Sequence, residues 1–289
     1  MNRPRLILLV GIPGSGKTTY AKNYIERNPI TIHLSSDTIR KELYGDESIQ
    51  GDPAEVFSLM QKRAVRALND GHNVIYDCTN ITRKDRAGII SICPRFVKIE
   101  CHIIWAPIDE CIKRDTSRDR TVGKEIIDRM LKRFQAPYYD EDIDEIKVIL
   151  PDRFDPIKYS NSIMSAMRIP HDNPHHTLSI YHHCIEAFEE MCCYSVDNHL
   201  QMAALWHDIG KPYVKAFVDG NGNSCEYAHY YQHQCVGAWM SYGLSMTIDI
   251  AWLISTHMDP FLNTKYYRSL PDFLKKDIDL LHEADKAAH

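Results

Sequence analysis

The chain has 289 residues, 44% of them hydrophobic, with 34 Lys and Arg against 39 Asp and Glu for a formal net charge of −5, the make-up of a globular protein long enough for two cores. No apolar run approaches the roughly 20 residues that a membrane helix needs, and Arg3 and Arg5 before the short run Leu6 to Val10 read as a first strand and not a leader. Nine cysteines, an odd number without metal-type CxxC spacing and several of them on apolar faces, suggest reduced core residues of a cytoplasmic protein.

Residues 5–10 form an apolar run of buried-strand length, and the next eight residues are Gly11-Ile12-Pro13-Gly14-Ser15-Gly16-Lys17-Thr18. They fit the pattern G-x-x-x-x-G-K-[ST] at every fixed position, and residues 17–26 read as a helix. Strand, glycine loop and helix is the order that cradling a phosphate requires. Gly11, Gly14 and Gly16 let the loop turn its N–H groups onto phosphate oxygens, with Ser15 and Thr19 in the same cradle. Lys17 adds charge at the β- and γ-phosphates, the Thr18 hydroxyl can ligate Mg²⁺, and the positive helix end faces the anion. The expected ligand is ATP with Mg²⁺.

Residues 31–34 read as a second strand, followed by Ser35-Ser36-Asp37-Thr38-Ile39-Arg40 entering a helix. In an open parallel sheet the carboxyl ends of the strands face the ligand crevice, so Asp37 is placed to take the proton of a hydroxyl attacking the γ-phosphate. Helix capping explains the same residues locally just as well. Asp52, Pro53 and Gly71 bracket a long helix over 52–70, with a capping residue, a first-turn proline and a terminal glycine. The strand 73–77 ends in Asp77, which can hold Mg²⁺ or its water shell, and Thr79, Asn80 and Arg83 follow at that edge. A fourth strand covers 98–105. Arg114 and Arg118 then share one helix face and can meet charge on a transferring phosphoryl group, although the interleaved Asp115 equally fits a solvated helix. A helix over 123–134 and a weak strand over 146–150 complete this half.

Taken together, Gly11 to Thr18, Ser36-Asp37-Thr38-Ile39-Arg40, Tyr76-Asp77-Cys78-Thr79-Asn80, Arg114-Asp115-Thr116-Ser117-Arg118 and Phe134-Gln135-Ala136-Pro137 resemble the polynucleotide 5′-kinase group of P-loop phosphotransferases. The resemblance covers residues 1–150 and implies an α/β domain whose parallel sheet is flanked by helices. It further implies Lys17 and Thr18 on ATP and Mg²⁺, Asp37 as base for the acceptor hydroxyl and Arg40 on the acceptor phosphate. Asp77 would lie behind the metal, Arg114 and Arg118 would be lid arginines, and Thr79, Asn80 and Arg83 would face the substrate. Phosphorylated sugars or antibiotics are acceptors that the same motifs allow. No extended basic stretch marks a long groove, so contact with a polynucleotide would be limited to a terminal phosphate and a base or two.

Acidic residues 139–145 and a proline-bearing stretch separate the halves, with a linker expected over 151–170. Residues 1–150 hold 24 Lys and Arg against 22 Asp and Glu, whereas 151–289 hold 10 against 17 and twelve of the fifteen histidines. A histidine-rich, carboxylate-rich half suggests bound metal. Tyr181, Cys184, Ile185, Phe188, Met191 and Cys192 make a helical apolar stripe with His182 and His183 beside it. The next helix, over 197–208, ends in His207-Asp208 before Gly210 and Pro212; such a doublet can offer two ligands to one metal if other elements supply the rest. His233, His257 and Asp285 each fall on a further predicted helix. This order resembles the HD-domain phosphohydrolases over 171–289, which implies an all-α helical bundle. It also implies His183, His207, Asp208 and Asp285 as primary ligands of a divalent transition metal, with His233 and His257 for a second ion and Lys211 on phosphate. His175, His176, His182 and His229 are left to the surface or to supporting roles.

The pairing of the two halves suggests a bifunctional nucleic-acid end-healing enzyme, a 5′-hydroxyl kinase joined to a 3′-phosphatase or 2′,3′-cyclic phosphodiesterase. Those activities would be futile on one atom and complementary across one break. RNA is favoured over DNA because cyclic phosphate ends need the 2′-OH, and a nucleic-acid ligase is the natural partner, with no membrane involved. Two rival readings fit the same motifs. A nucleoside or sugar kinase fused to a nucleotidase would turn over mononucleosides regardless of oligonucleotide length, and a nucleotide-gated signalling module would bind ATP with negligible transfer.

Overall fold

The computed structural model describes residues 3–118, 120–174 and 178–288. The chain divides into two compact units, Met1–Met130 with Pro137–Asp152, and Leu131–Ala136 with Arg153–His289. In the first, β1 (Arg5–Val10), α1 (Lys17–Arg27), β2 (Thr31–Ser35), α2 (Ser36–Tyr44), α3 (Pro53–Asn69) and β3 (Asn73–Asp77) are followed by α4 (Arg83–Ile90), β4 (Lys98–Ile104), α5 (Ile108–Thr116), α6 (Lys124–Leu131) and β5 (Glu145–Ile149). The strands form one parallel sheet in the order β2-β3-β1-β4-β5. Central β1 is buried on both faces from Leu6 to Val10, which is why its sequence is a continuous apolar run and not an alternating one. On one face Ala21, Tyr20, Tyr24 and Ile25 of α1 pack on Ile7, Leu9, Ile75 and Ile104. On α3 the i, i+4 series Val56, Met60, Ala64 and Leu68 is buried, and that helix lies against β2 and β3. The register sets both Leu9 and Ser35 opposite Asp77, so β1, β2 and β3 end at one edge.

The acidic stretch expected to separate the halves is part of the first unit. Tyr139–Glu141 is a 3-10 turn and β5 is an edge strand. Two arginines bind the turn. Arg86, fully buried, sets Nε and Nη2 on the two Glu141 carboxylate oxygens at 2.7 and 2.8 Å and donates Nη1 to the Asn80 carbonyl at 2.9 Å; Arg83 pairs with Asp140 at 2.9 Å. Removing one partner of a buried pair leaves the other charge desolvated. Glu141→Ala is therefore expected to destabilise the protein by about 3 kcal/mol, read as a fall in urea midpoint; a change below about 0.5 kcal/mol would place the turn's anchorage elsewhere.

The second unit contains α7 (Pro156–Ala166), α8 (Ile180–Tyr194), α9 (Asn198–Trp206), α10 (Lys211–Val214), β6 (Ala216–Val218), β7 (Ser224–His229), α11 (His233–Gly243), α12 (Ile248–Thr256), α13 (Asp259–Leu262), α14 (Lys265–Ser269) and α15 (Asp272–Ala287). It is helical, but the expected all-α bundle is corrected by the antiparallel hairpin β6–β7. The expected linker over 151–170 is corrected as well, because α7 lies within it. Asp155 caps the N–H groups of Ile157 and Lys158 at 3.0 Å, Pro156 takes the first turn where its missing N–H costs nothing, and Ile163 is buried. The helix expected over 123–134 stops at Leu131, and Phe134 packs edge-on against Trp239 and Tyr242 of the second unit, with ring centroids 5.4 and 6.2 Å apart. Every residue of α11 is buried, and α8, α9, α12 and α15 pack on one another around the same core. Among the described residues no helix is long and apolar enough to cross a membrane. His175 and His176 lie outside the described residues.

Candidate functional sites

The glycine loop joins β1 to α1 as its pattern requires. Gly14 has φ +80°, and a Cβ there would lie 2.1 Å from the Cys111 carbonyl oxygen, so only glycine fits. Gly16 precedes α1 without a side-chain cap, leaving the first helical N–H groups unspent for an anion. Ser15 is buried and its hydroxyl has no partner within the protein, an orphaned polar group of the kind a phosphate oxygen satisfies. Lys17 folds back, donating to the carbonyls of Gly11 and Ile12 at 2.8 and 3.1 Å. Burial lowers its proton affinity against the opposing pull of Asp77. Thr18 donates to Asp77 Oδ2 at 3.3 Å, so the two groups expected around Mg²⁺ are neighbours, and Thr19 is exposed in the first turn of α1.

Asp37 stands in the first turn of α2 with its side chain half exposed, its N–H capped by Ser35 and its carboxylate paired with Arg40. Arg120, to which no motif assigned a role, brings Nη1 to 3.7 Å from the same carboxylate. His33 is a second residue missed by sequence; its Nε2 lies 3.0 Å from Asp77 Oδ2. Arg114 reaches toward the Gly14 carbonyl at 3.5 Å while its Nε pairs with Glu110 at 3.0 Å. Arg118 is exposed, and its positive charge further lowers the proton affinity of Lys17. Asp115, which fitted a solvated helix, is instead buried and accepts the N–H groups of Val122 and Gly123 at 2.9 and 2.8 Å, tying down the turn after the arginines.

Of the residues expected at the substrate edge, Asn80 and Arg83 are committed to the framework. Asn80 is buried and donates Nδ2 to the carbonyls of Leu9 and Tyr76 at 2.8 and 3.4 Å, which corrects its expected place facing substrate. The reason is its left-handed backbone, φ +46°, which turns the amide inward across the ends of β1 and β3. Arg83 holds the acidic turn, and Thr79 accepts the Gly11 N–H at 3.0 Å through its carbonyl.

In the second unit all six expected ligands meet. His183, His207, Asp208 and Asp285 form one group and Asp208, His233 and His257 another, each with its ligand atoms within 4.8 Å of one another. Local structure sets every ring. His207 and His257 follow the last turns of α9 and α12 and donate Nδ1–H to the carbonyls of Ala204 and Ile254 at 2.7 and 2.8 Å, orphan acceptors at a helix end. His233 opens α11 and closes on the Tyr230 carbonyl at 2.9 Å, and His183 closes on that of Ala288 at 3.2 Å. With Nδ1 protonated on all four, the Nε2 lone pairs point inward. His183 and His207 then face each other at 3.3 Å, and His233 and His257 at 3.1 Å. Two acceptors at that distance repel unless a cation lies between them, so the donor set fits one or two divalent metal ions. Its imidazoles and carboxylates suit a first-row transition metal. Asp208 serves both groups, with Oδ1 3.1 Å from His233 Nε2 and Oδ2 3.3 Å from His207 Nε2. Gly210 makes this approach feasible, since a Cβ there would lie 2.1 Å from the His233 carbonyl oxygen.

The charge states suit ligation. Burial acts to raise the Asp208 carboxyl, but the neighbouring His207 and Lys211 charges hold it well below its ordinary value. Asp285 is likewise held well below against burial, by His207 and His183. Burial and the adjacent His233 and His207 push His257 down to about 3. For His207 burial is outweighed by Asp208 and the affinity for a proton rises well above ordinary; that proton is the one a metal displaces. Lys211 sits beside the cluster, Nζ 2.5 Å from Asp208 Oδ2, although not in hydrogen-bond geometry with it. His171 was not foreseen in any role. It is buried, fixed by the Leu178 carbonyl at 2.9 Å, and turns Nε2 to Lys211 Nζ at 3.4 Å. Burial and the Lys211 charge push it down to about 4. The signal available was its proximity in sequence to the histidine run at 175–183.

Comparison with known proteins bears on the first unit. The family model described as AAA domain matches residues 6–137. The L-seryl-tRNA(Sec) kinase of Methanococcus maripaludis is 28% identical over 170 residues, 55% of this chain and 64% of that protein, so the match spans less than two thirds of that relative. Among solved structures, one of the Pnkp1/Rnl/Hen1 RNA repair complex is similar with TM-score 0.43 and 23% identity over 50% of this chain and 47% of that one. A fungal RNA kinase gives TM-score 0.40 and 15% identity over 53% and 40%. Residues 6–137, which hold the glycine loop with its strand and helix, are thus similar to the AAA-domain family.

Proposed function

We propose that this chain heals nucleic-acid ends, RNA foremost. The first unit transfers the γ-phosphate of ATP to a 5′-hydroxyl, and the second, of the HD-phosphohydrolase kind, removes a 3′- or 2′,3′-cyclic phosphate so that a ligase can join the ends. The observation that carries this reading is the convergence of six metal-type ligands and Lys211 in a chain that also bears a phosphate loop. One centre adds phosphate and the other removes it, which is productive only at different atoms of one substrate. The relative named for a seryl-tRNA acceptor supports a hydroxyl carried on RNA. Nine free thiols suit a cytoplasmic setting.

In the first unit Lys17, the loop N–H groups and Arg114 would hold the donor phosphates, with Thr18 and Asp77 around Mg²⁺. Asp37 would take the proton from the acceptor hydroxyl, and Arg40 and Arg120 beside it would receive the acceptor's own phosphate. In the second unit His183, His207, Asp208 and Asp285 would hold one metal and His233 and His257, with Asp208, a second. Divalent ions held there would supply an acidified water and positive charge to offset the negative charge of the phosphoester. Lys211 would donate to a phosphate oxygen from the side of Asp208.

The test is an RNA oligonucleotide with a 5′-hydroxyl and a 3′-phosphate, incubated with ATP, Mg²⁺ and Mn²⁺ and read by mass at both ends. Gain of phosphate at the 5′ end and loss at the 3′ end is expected. Turnover of mononucleosides with the oligonucleotide untouched would overturn the proposal in favour of a metabolic kinase and nucleotidase.

A further inference from the structure

The geometry points to a base-stacking platform on the hairpin of the second unit, an inference that rests on the end-healing reading above. Tyr227, His229 and Tyr231 receive the unpaired terminal base of the nucleic acid whose phosphate meets Lys211 and the histidine cluster.

Tyr227 and His229 are two residues apart on β7 and so share one face of the strand. The His229 ring stacks on Tyr231 at an interplanar angle of 3° with centroids 5.3 Å apart, and His229 Nδ1 lies 3.3 Å from the Tyr231 hydroxyl. Tyr227 and Tyr231 are 49% and 47% exposed. Single exposed aromatics need no explanation, but here two rings are already parallel, with Tyr227 next to them on the same face of β7. It is also held in place, since the Ala228 N–H donates to the Asp172 carbonyl at 2.8 Å and Asn173 Nδ2 to the Ala228 carbonyl at 3.1 Å. Between the stacked residues the chain turns Tyr230 the other way. Its hydroxyl donates to the His171 carbonyl and its ring lies over Lys211 Nζ at 5.5 Å. His233 of the metal-type cluster follows two residues after Tyr231. The platform is therefore one residue removed from the group expected to contact phosphate.

Charge selects the occupant. From residue 171 to 235 the sequence has two cations, Lys211 and Lys215, and Lys215 is taken up by Asp172 and the Pro170 carbonyl, both at 2.6 Å. Glu226 and Asp219 add negative charge on the hairpin. Such a surface cannot track a phosphate backbone, whereas a base offers its uncharged face to an aromatic ring whatever its identity. The occupant is thus a single terminal base and not a duplex or a long strand.

The experiment uses the full chain and single-stranded RNA carrying the fluorescent base 2-aminopurine, either at the 3′ end or four nucleotides inside it. Stacking quenches the terminal probe and spares the internal one. Tyr227→Ala and Tyr231→Ala should each weaken binding about tenfold, Tyr231→Trp should restore it, and the preference in KM for a base-bearing over an abasic 3′-phosphate end should collapse toward one in the double alanine variant. Equal quenching and affinity in wild type and that double variant would overturn the platform. Hydrolysis that treats abasic and base-bearing ends alike in the wild type would overturn it too, while leaving the phosphohydrolase reading standing. Quenching of the terminal probe without hydrolysis of any 3′-phosphate would uphold the platform and sink that reading instead.

Discussion

Asp208→Asn is expected to lower phosphoester hydrolysis by about a thousandfold, a loss of about 4 kcal/mol of the kind that metal-based stabilisation supplies, and to abolish stable metal binding by the second unit. Asp208 belongs to both ligand groups, with one carboxylate oxygen near His233 and the other near His207. No other residue of the cluster is shared in this way among the described residues. An asparagine keeps the shape and one carbonyl oxygen but removes the negative charge amid four imidazoles, so both candidate positions lose affinity together. Metal content by elemental analysis, after loading and gel filtration, distinguishes this from a local fault. His257→Ala should empty only the second position and Asp208→Asn both. Retention of one metal equivalent with near wild-type hydrolysis by Asp208→Asn would show that the carboxylate does not bridge. Kinase activity serves as the internal control for folding of the first unit.

Asp37→Ala should reduce transfer from ATP to a 5′-hydroxyl by about 10²- to 10⁴-fold in kcat, the contribution typical of a positioned general base. The KM for ATP should stay within about threefold, because uniform binding of the donor is untouched. Lys17, Thr18 and Arg114 lie at the glycine loop, whereas Asp37 stands in the first turn of α2 with Arg40 and Arg120 around its carboxylate. Asp37→Asn separates the roles, since it preserves the contact to the arginines without a proton acceptor and should be nearly as inactive as the alanine variant. Stability should barely change: the side chain is 52% exposed, and a carboxylate in a first helical turn contributes only about 0.3–1 kcal/mol. An asparagine variant retaining more than a tenth of wild-type kcat would assign Asp37 to holding the arginines and leave the base to be found elsewhere.

The sequence by itself determined the features whose parts are contiguous. Strand, glycine loop and helix could be read from residues 5–26 because backbone conformation there follows from local spacing and from glycine's freedom. The carboxylates of Asp37 and Asp77 were placed by the rule that parallel strands end at a common crevice. The ligand series from His183 to Asp285 was legible as residue types in order. Direction was not. Asn80 follows the same strand end as Thr79, yet its left-handed backbone sends its amide into the framework. Asp115 alternates with arginines like a solvated residue, yet is buried and accepts the N–H groups of Val122 and Gly123. The arginines of α4 gave no local sign that Glu141, 55 residues away, would bury one of them, so the acidic stretch looked like a spacer. The hairpin escaped notice because β6 is three residues long and such a strand has no period to detect. In the histidine cluster only packing could bring Asp285 within 2.9 Å of His183 across 102 residues, and only the backbone carbonyls of surrounding helix ends could decide which ring nitrogen carries the proton. Side-chain direction and tautomer are set by neighbours distant in the chain, and those neighbours exist only once the elements have packed.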